Sequence, residues 1–193
     1  KRGLDHGVFV PLKVAFSSTP ADPKASLESS LPPTLPLVEI TLPPPSSQNF
    51  ATASLQLGKA LRKLRTEHKV GVFAGGMPVH NLRELGKYMD RSAGAFKFIK
   101  DAPYAKPFLE AISSALNVDV KPAPAKLNGD TSPQEEEKDP RWEALTAVTK
   151  RPDYKQAHPT DEHFMPLFVA LGATFPHERL HESMKKPEGS MGW

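Results

Sequence analysis

The 193-residue sequence contains no cysteine, so neither a disulfide framework nor a thiolate metal site is possible. Any metal ion must be held by His, Asp or Glu side chains, a donor set that suits iron, zinc or manganese. No apolar run approaches the length of a membrane span and no signal peptide is visible, so we expect a cytoplasmic protein with no membrane partner. The net charge is only +3, with basic and acidic residues intermixed, which argues against a nucleic-acid partner.

The length fits one domain, and proline is abundant at 21 residues while the apolar share is only 38%. Two polar, proline-bearing stretches, residues 17–36 and 118–140, are predicted to be loop insertions. The remainder predicts a single catalytic-type domain over residues 1–193. The opening Lys1-Arg2-Gly3 reads like the middle of a domain, so we expect a domain that is incomplete at its N-terminal side.

An apolar segment at 37–42, a periodic helix at 49–67 and a short apolar segment at 70–73 predict a parallel strand–helix–strand unit. The predicted fold class is therefore α/β, with a mixed, largely parallel central sheet flanked by helices and lacking its N-terminal strands in this chain. The basic residues of the first helix are predicted to form a solvated face. Further helices are predicted at 104–116 and 141–150.

The second predicted strand runs directly into a glycine pair that is followed by His80 and Asn81. In parallel α/β sheets, ligands bind beyond the carboxyl ends of the strands, which places both side chains where a functional residue is expected. Gly75-Gly76 allows close backbone approach to a ligand or to a neighbouring loop, but the segment matches neither a dinucleotide nor a P-loop pattern. By itself, His80 is equally consistent with a structural and a catalytic histidine.

The densest group of chemically active side chains is His158-Pro159-Thr160-Asp161-Glu162-His163, directly ahead of an apolar run. The apolar spacing after it predicts a helix. Pro166 requires either a kink or a short turn at 160–164 followed by a new helix that opens with the proline. Without other information, the simplest interpretation is a capped surface helix with incidental histidines.

Three segments that occur in a fixed order change this interpretation: residues 3–9 with Asp5-His6-Gly7, residues 75–83 with His80-Asn81, and residues 158–167. Together they resemble the class III extradiol ring-opening dioxygenases, in the branch that includes the DOPA 4,5-dioxygenases and their zinc-bound bacterial relatives. The resemblance extends to residues 37–42, 57–61 and 189–191, and so spans most of the chain.

The resemblance implies roles for individual side chains. His163 matches a metal ligand, with the neighbouring Glu162 as a carboxylate alternative, and His80 matches the acid/base catalyst. His6 matches a second histidine that faces the substrate. His158 lies five positions before His163, about 140° around a helix, so both reach one metal only if the helix starts between them. We assign His158 a pocket or supporting role.

Asn81 and Asp5 are likewise expected to bind substrate or to support the site. The implied reaction is the opening of a catecholic ring, such as that of DOPA, by O₂ and Fe(II), with zinc able to occupy the same site in a purified sample. The family's other two metal-binding histidines lie in upstream motifs that this sequence does not contain. We therefore expect an N-terminal segment or companion chain to supply them.

Two alternatives remain open at this point. The chain could be a family descendant that has lost the metal site and serves as a non-enzymatic binding or storage protein. It could also be a zinc hydrolase on the same scaffold.

Overall fold

The computed structural model describes residues 5–16, 36–45, 49–90, 92, 97–119 and 139–192. The chain divides into two compact units, Lys1–Leu42 and Pro43–Trp193. One catalytic domain over residues 1–193 stays a prediction. The two predicted insertions lie outside the described residues except at their ends, where residue 140 already begins a helix.

The first unit contains helix α1, His6–Phe16, with Pro11 inside it. The second unit contains, in chain order, α2 (Phe50–His68), β1 (Val79–His80), a 3₁₀ turn (Leu82–Glu84), α3 (Leu85–Tyr88), α4 (Ala105–Leu116), α5 (Pro140–Val148), α6 (Tyr154–Ala157), α7 (Met165–Ala173), β2 (Pro187–Glu188) and β3 (Met191–Gly192). The helices predicted at 49–67, 104–116 and 141–150 are confirmed with shifts of one or two residues at their ends.

Helix α7 begins at Met165, with Pro166 in its first turn, and residues 159–164 before it form turns. Of the two expectations for this segment, the new helix after a short turn is confirmed. Proline fits there because the first turn of a helix has no intrahelical partner for the missing N–H group. The helix is apolar on almost every side, and Phe168 and Leu171 are nearly fully buried.

The strands of the described residues form one antiparallel sheet with the order β1–β3–β2, in which Val79 pairs with Gly192 and His80 with Met191. The predictions of strands at 37–42 and 70–73 are wrong, because neither segment pairs with another strand in the part of the chain that the structure describes. Val38 and Phe73 are 80% and 87% exposed there. The apolar and β-branched residues of the two segments favour extended backbone, but a strand also needs a partner.

The coarser prediction of a mixed α/β fold holds, since the described residues form helices and a small sheet, whereas the largely parallel sheet is not found among them. Part of the core lies on α4, which contacts α5 and the sheet and whose Phe108 and Ile112 are buried. Among the described helices, none is both long and apolar enough to cross a membrane.

Helices α2 and α7 touch backbone to backbone where Gly58 meets Gly172, and we call this contact the helix crossing. A Cβ atom added at Gly58 would lie 2.1 Å from the carbonyl oxygen of Val169, and one added at Gly172 would lie 2.3 Å from that of Leu55. Real Cβ atoms do not approach backbone this closely. Glycine at both positions is therefore required for the helices to pack at this distance.

Two arginines of α2 bind the carboxyl end of α7. The Arg62 Nε donates to the Gly172 carbonyl at 3.1 Å, and the Arg65 guanidinium donates to the Ala173 carbonyl. These carbonyls lack partners within their own helix, so the arginines satisfy them and complement the helix dipole. The prediction of a solvated basic face is wrong for these residues; Lys59 also lies over the Trp142 ring, with its Nζ 4.1 Å from the ring centroid.

Candidate functional site

Three histidines of the second unit, His80, His158 and His163, meet where residues 76–81, around β1, contact residues 156–163. We call this contact the histidine junction. The Met77 amide donates to the His163 carbonyl at 2.9 Å. A Cβ atom at Gly76 would lie 2.6 Å from that same carbonyl oxygen, so the glycine allows one loop to approach the other. The requirement for glycine at position 76 is therefore explained by the close approach of a neighbouring loop and not by a phosphate cradle.

His158 lies in the interior behind the junction, with no exposed surface. Its Nε2 is 2.7 Å from the Pro78 carbonyl oxygen, which can only accept, so Nε2 carries the proton. Nδ1 is buried with no hydrogen-bond partner among the described residues. Burial lowers the pKa of His158 from 6.5 to about 4, although the bond to Pro78 opposes the shift. The ring packs among Phe108, Tyr154 and Phe164 and remains neutral near pH 7.

The imidazoles of His80 and His163 lie face to face on the more open side of the junction, with ring centroids 3.7 Å apart and planes 30° from parallel. The His163 side chain is 42% exposed, and its Nε2 lies 4.0 Å from a carboxylate oxygen of Glu162. Partial burial lowers the pKa of His80 below 6.5, and the nearby His163 lowers it further, while Glu162 acts in the opposite direction. His80 is therefore mainly neutral at pH 7 and able to accept a proton.

The Glu162 carboxylate is held beside this pair by a hydrogen bond of 2.7 Å from the Thr160 hydroxyl. Burial alone would raise the pKa of Glu162, but the Thr160 bond and the neighbouring His163 and His80 make the net shift downward. The carboxylate is thus ionised at neutral pH, next to an exposed imidazole.

Asn81 is 5% exposed, and its side chain is hydrogen-bonded to neighbouring backbone. Its Oδ1 accepts from the Arg83 amide at 3.1 Å, and its Nδ2 donates to the Gln156 carbonyl at 2.7 Å. The main chain of Asn81 is bound to Ser190, which donates its hydroxyl to the Asn81 carbonyl at 2.7 Å and accepts from the Asn81 amide at 3.0 Å. Asn81 therefore joins the β2–β3 hairpin to the histidine junction.

Sequence reasoning did not identify Ser190 as a site residue. Its partner is 109 positions away in the chain, and no local pattern signals a bond over that distance.

Asp5 and His6 belong to the first unit. The Asp5 carbonyl accepts from the amides of Val8 and Phe9 at the start of α1, and the Asp5 amide donates to the Glu39 carboxylate at 3.1 Å. His6 is the first residue of α1, and its side chain lies outside the described part of the chain. The structure thus places both residues at a helix start, and their expected roles stay predictions.

His163 and Glu162 supply an imidazole and a carboxylate, the donor types that Fe(II) and zinc accept. Their number is not sufficient, because no three His, Asp or Glu side chains among the described residues are placed to hold a metal ion together. The described residues therefore fit part of a metal site and do not complete one.

A cleft of about 460 Å³ adjoins Asn81, with Arg83, Lys87 and Lys155 among its lining residues. Neither His80 nor His163 lines it. Lys87 and Lys155 are paired with Glu84 and Asp161, each at 2.6 Å. The cleft is thus a polar surface feature, separate from the histidine pair.

Residues 1–187 match a family model described as the catalytic LigB subunit of aromatic ring-opening dioxygenase. A 4,5-DOPA dioxygenase extradiol-like protein of Schizosaccharomyces pombe is 29% identical over 171 residues, which cover 89% of this chain and 43% of that protein. Dioxygenase tasH of Hapsidospora irregularis is 30% identical over 181 residues, covering 93% and 44%. The 4,5-DOPA dioxygenase extradiol of Beta vulgaris is 30% identical over 173 residues, covering 90% and 47%. The chain spans about half of the length of these relatives.

Proposed function

The chain belongs to the family of the catalytic LigB subunit of aromatic ring-opening dioxygenases, and from this premise we propose that it acts in the extradiol opening of a catecholic ring by O₂. The observation that carries the proposal is the His80–His163 pair, two partly exposed imidazoles 3.7 Å apart on loops that are fixed behind them. In the reaction, the ring bond beside the diol breaks and both atoms of O₂ enter the product. Relatives named 4,5-DOPA dioxygenase support DOPA as the substrate to test first.

LigB-type dioxygenases depend on a metal ion, and we propose Fe(II) for the active protein, with zinc as an inactive occupant in a purified sample. A bound Fe(II) would supply the site at which the diol oxygens and O₂ are brought together. We assign His163 as one ligand, because its side chain is exposed and faces the other imidazole. Glu162, next to it and ionised, is the alternative ligand.

His80 is proposed as the base that takes a proton from a catechol hydroxyl. Its lowered pKa keeps a nitrogen lone pair available at neutral pH, and its ring is fixed against His163. We propose that His6 and Asp5 contact the substrate. His158 and Asn81 support the site from inside the fold, since the former is fully buried and the latter nearly so.

The test uses the metal-loaded protein. Iron and zinc content is measured, and O₂ uptake is then followed with DOPA and with unsubstituted catechol, together with the absorbance of the ring-opened product. We expect uptake of one O₂ per ring opened with Fe(II) and none with zinc. A folded, iron-loaded protein that consumes no O₂ with either diol would refute the proposal.

A second candidate is a non-enzymatic protein that binds a catechol, and the incomplete donor set among the described residues favours it. Calorimetry with DOPA separates the two functions. A binding protein would take up DOPA without metal and leave O₂ unconsumed, whereas the proposed enzyme would require metal for turnover.

A further inference from the structure

We infer that Ser190 is a positioning residue for His80, an inference that rests on the catalytic role proposed for that histidine. Ser190 is fully buried in the turn of the β2–β3 hairpin. Its hydroxyl and its carbonyl bind the carbonyl and the amide of Asn81, the residue directly after His80. The next hairpin residue, Met191, pairs with His80 itself in the ladder. The hairpin therefore fixes the main chain of His80 and the residue after it.

The turn that carries Ser190 is itself fixed. Gly189 has a φ of +61°, a conformation that L side chains rarely adopt. Its amide donates to the Asp101 carboxylate at 3.0 Å, and its carbonyl accepts from the Ala102 amide at 2.7 Å. A Cβ atom at this position would lie 2.2 Å from the Phe98 ring. The turn that binds Asn81 through Ser190 is therefore itself bound to residues 101 and 102 through Gly189.

Removal of the Ser190 hydroxyl would leave the buried Asn81 carbonyl with only a long contact, 3.4 Å from the Glu84 amide. The segment after His80 would then be held by fewer and weaker bonds. Since His80 must meet a substrate hydroxyl within hydrogen-bond distance, a small displacement of its ring affects the rate directly. Binding of the substrate by other groups would change little.

The chain offers a matched control for this experiment. Ser54 in α2 is also fully buried, but its hydroxyl has no hydrogen-bond partner among the described residues. Ser190→Ala and Ser54→Ala thus each remove a buried hydroxyl oxygen. The Ser190 hydroxyl is hydrogen-bonded, and the Ser54 hydroxyl is not hydrogen-bonded to any described residue.

Two measurements test the inference on the intact, metal-loaded protein. In Ser190→Ala, hydrogen–deuterium exchange across residues 79–83 should become about fivefold faster, the effect of losing a bond worth about 1 kcal/mol. The kcat for the catechol should fall about tenfold or more with KM and metal content unchanged, because misplacement of a reacting group lowers the rate steeply. Ser54→Ala should leave both unchanged.

Wild-type exchange across residues 79–83 in Ser190→Ala would overturn the inference. Faster exchange with a wild-type kcat would also overturn it, because Ser190 would then be a structural residue only. If the wild-type protein itself opens no ring, the proposed function fails, and the exchange result still decides whether Ser190 fixes the His80 segment.

Discussion

The helix crossing and the histidine junction both join distant parts of the chain, but only the junction keeps chemically active side chains partly exposed. At the helix crossing, Arg62 binds a carbonyl 110 positions away, and the two glycines bring the backbones into contact with no space left between them. At the histidine junction, His158 binds a carbonyl 80 positions away, yet the imidazoles of His80 and His163 stay partly exposed.

From this difference we infer that stability and the proposed chemistry depend on different regions of the second unit. At the junction, the Met77 amide and the His158 ring donate to backbone carbonyls of the facing loop, and these bonds leave the side chains of His80 and His163 available. At the crossing, the two glycines and the arginines of α2 hold that helix against α7. Substitutions at the crossing should therefore change the free energy of unfolding, and substitutions of the exposed imidazoles should change activity.

The largest effect is expected at the exposed imidazoles. His163→Ala should abolish retention of the metal and with it all turnover. His80→Ala should keep the metal and lose turnover by about 10²- to 10⁴-fold, the usual contribution of a general base. Metal analysis and O₂ uptake measure the two outcomes, and circular dichroism checks that both variants are folded. If His80→Ala loses the metal instead, the two roles are reversed.

At the helix crossing, Gly58→Ala should lower the free energy of unfolding by about 3 kcal/mol, because the new methyl group would overlap the Val169 carbonyl and force the helices apart. Urea denaturation measures the change, and kcat per bound metal should stay near that of the wild type. Gly71→Ala is the control, since a Cβ atom there has no neighbour within 4 Å. Equal destabilisation by both substitutions would show that α2 and α7 are not packed through Gly58.

The helices that form these two regions could largely be predicted from sequence, because their signals are local. The periodic leucines of α2 and the proline in the first turn of α7 fix those elements within a few residues. The motifs around His80 and His163 likewise indicate the candidate site from the sequence alone. Each of these signals lies within one short stretch of chain.

What could not be predicted depends on partners that are distant in sequence. The two-residue strand at Val79–His80 is defined by pairing with Met191 and Gly192, and nothing in either segment specifies the other. In the same way, the charge pattern of α2 predicts a solvated Arg65. The pattern does not show its carbonyl and carboxylate partners, because these lie more than a hundred positions away. Local charge patterns do not show which charges are paired in the fold.

The buried histidine of the junction should make stability depend on pH. The pKa of His158 is about 4 in the folded protein against an ordinary value of 6.5, so the unfolded chain binds the proton more readily. The contribution of His158 is complete above pH 6.5 and is lost as the pH falls toward 4. Between pH 7 and pH 5 the free energy of unfolding should fall by about 2 kcal/mol from this residue.

The matched variant is His158→Gln, which can still donate to the Pro78 carbonyl but does not titrate in this range. Urea denaturation at pH 7 and pH 5 should show a smaller acid loss for the variant than for the wild type. The same loss in both proteins would contradict a neutral, buried His158.

The smallest change in the free energy of unfolding is expected at the partly exposed ion pair of Arg65 and Glu178. Arg65 donates to both carboxylate oxygens of Glu178, at 3.0 and 2.8 Å, and to the Ala173 carbonyl. Because both side chains are about 30% exposed, water screens the ion pair. Arg65→Gln should therefore lower the free energy of unfolding by only about 1 kcal/mol.

The control for this prediction lies close by on the same helix. Lys63 and Glu67 form a pair of 3.7 Å whose side chains are 73% and 53% exposed, so Lys63→Gln should change the free energy of unfolding by less than about 0.5 kcal/mol. Urea denaturation at low and at high salt measures both variants. A similar small change for the two would mean that the bonds of Arg65 to Ala173 and Glu178 contribute little to holding α2 on α7. A larger, salt-resistant loss for Arg65→Gln would show that the bond to the Ala173 carbonyl contributes, since salt screens the carboxylate pair more than a hydrogen bond to backbone.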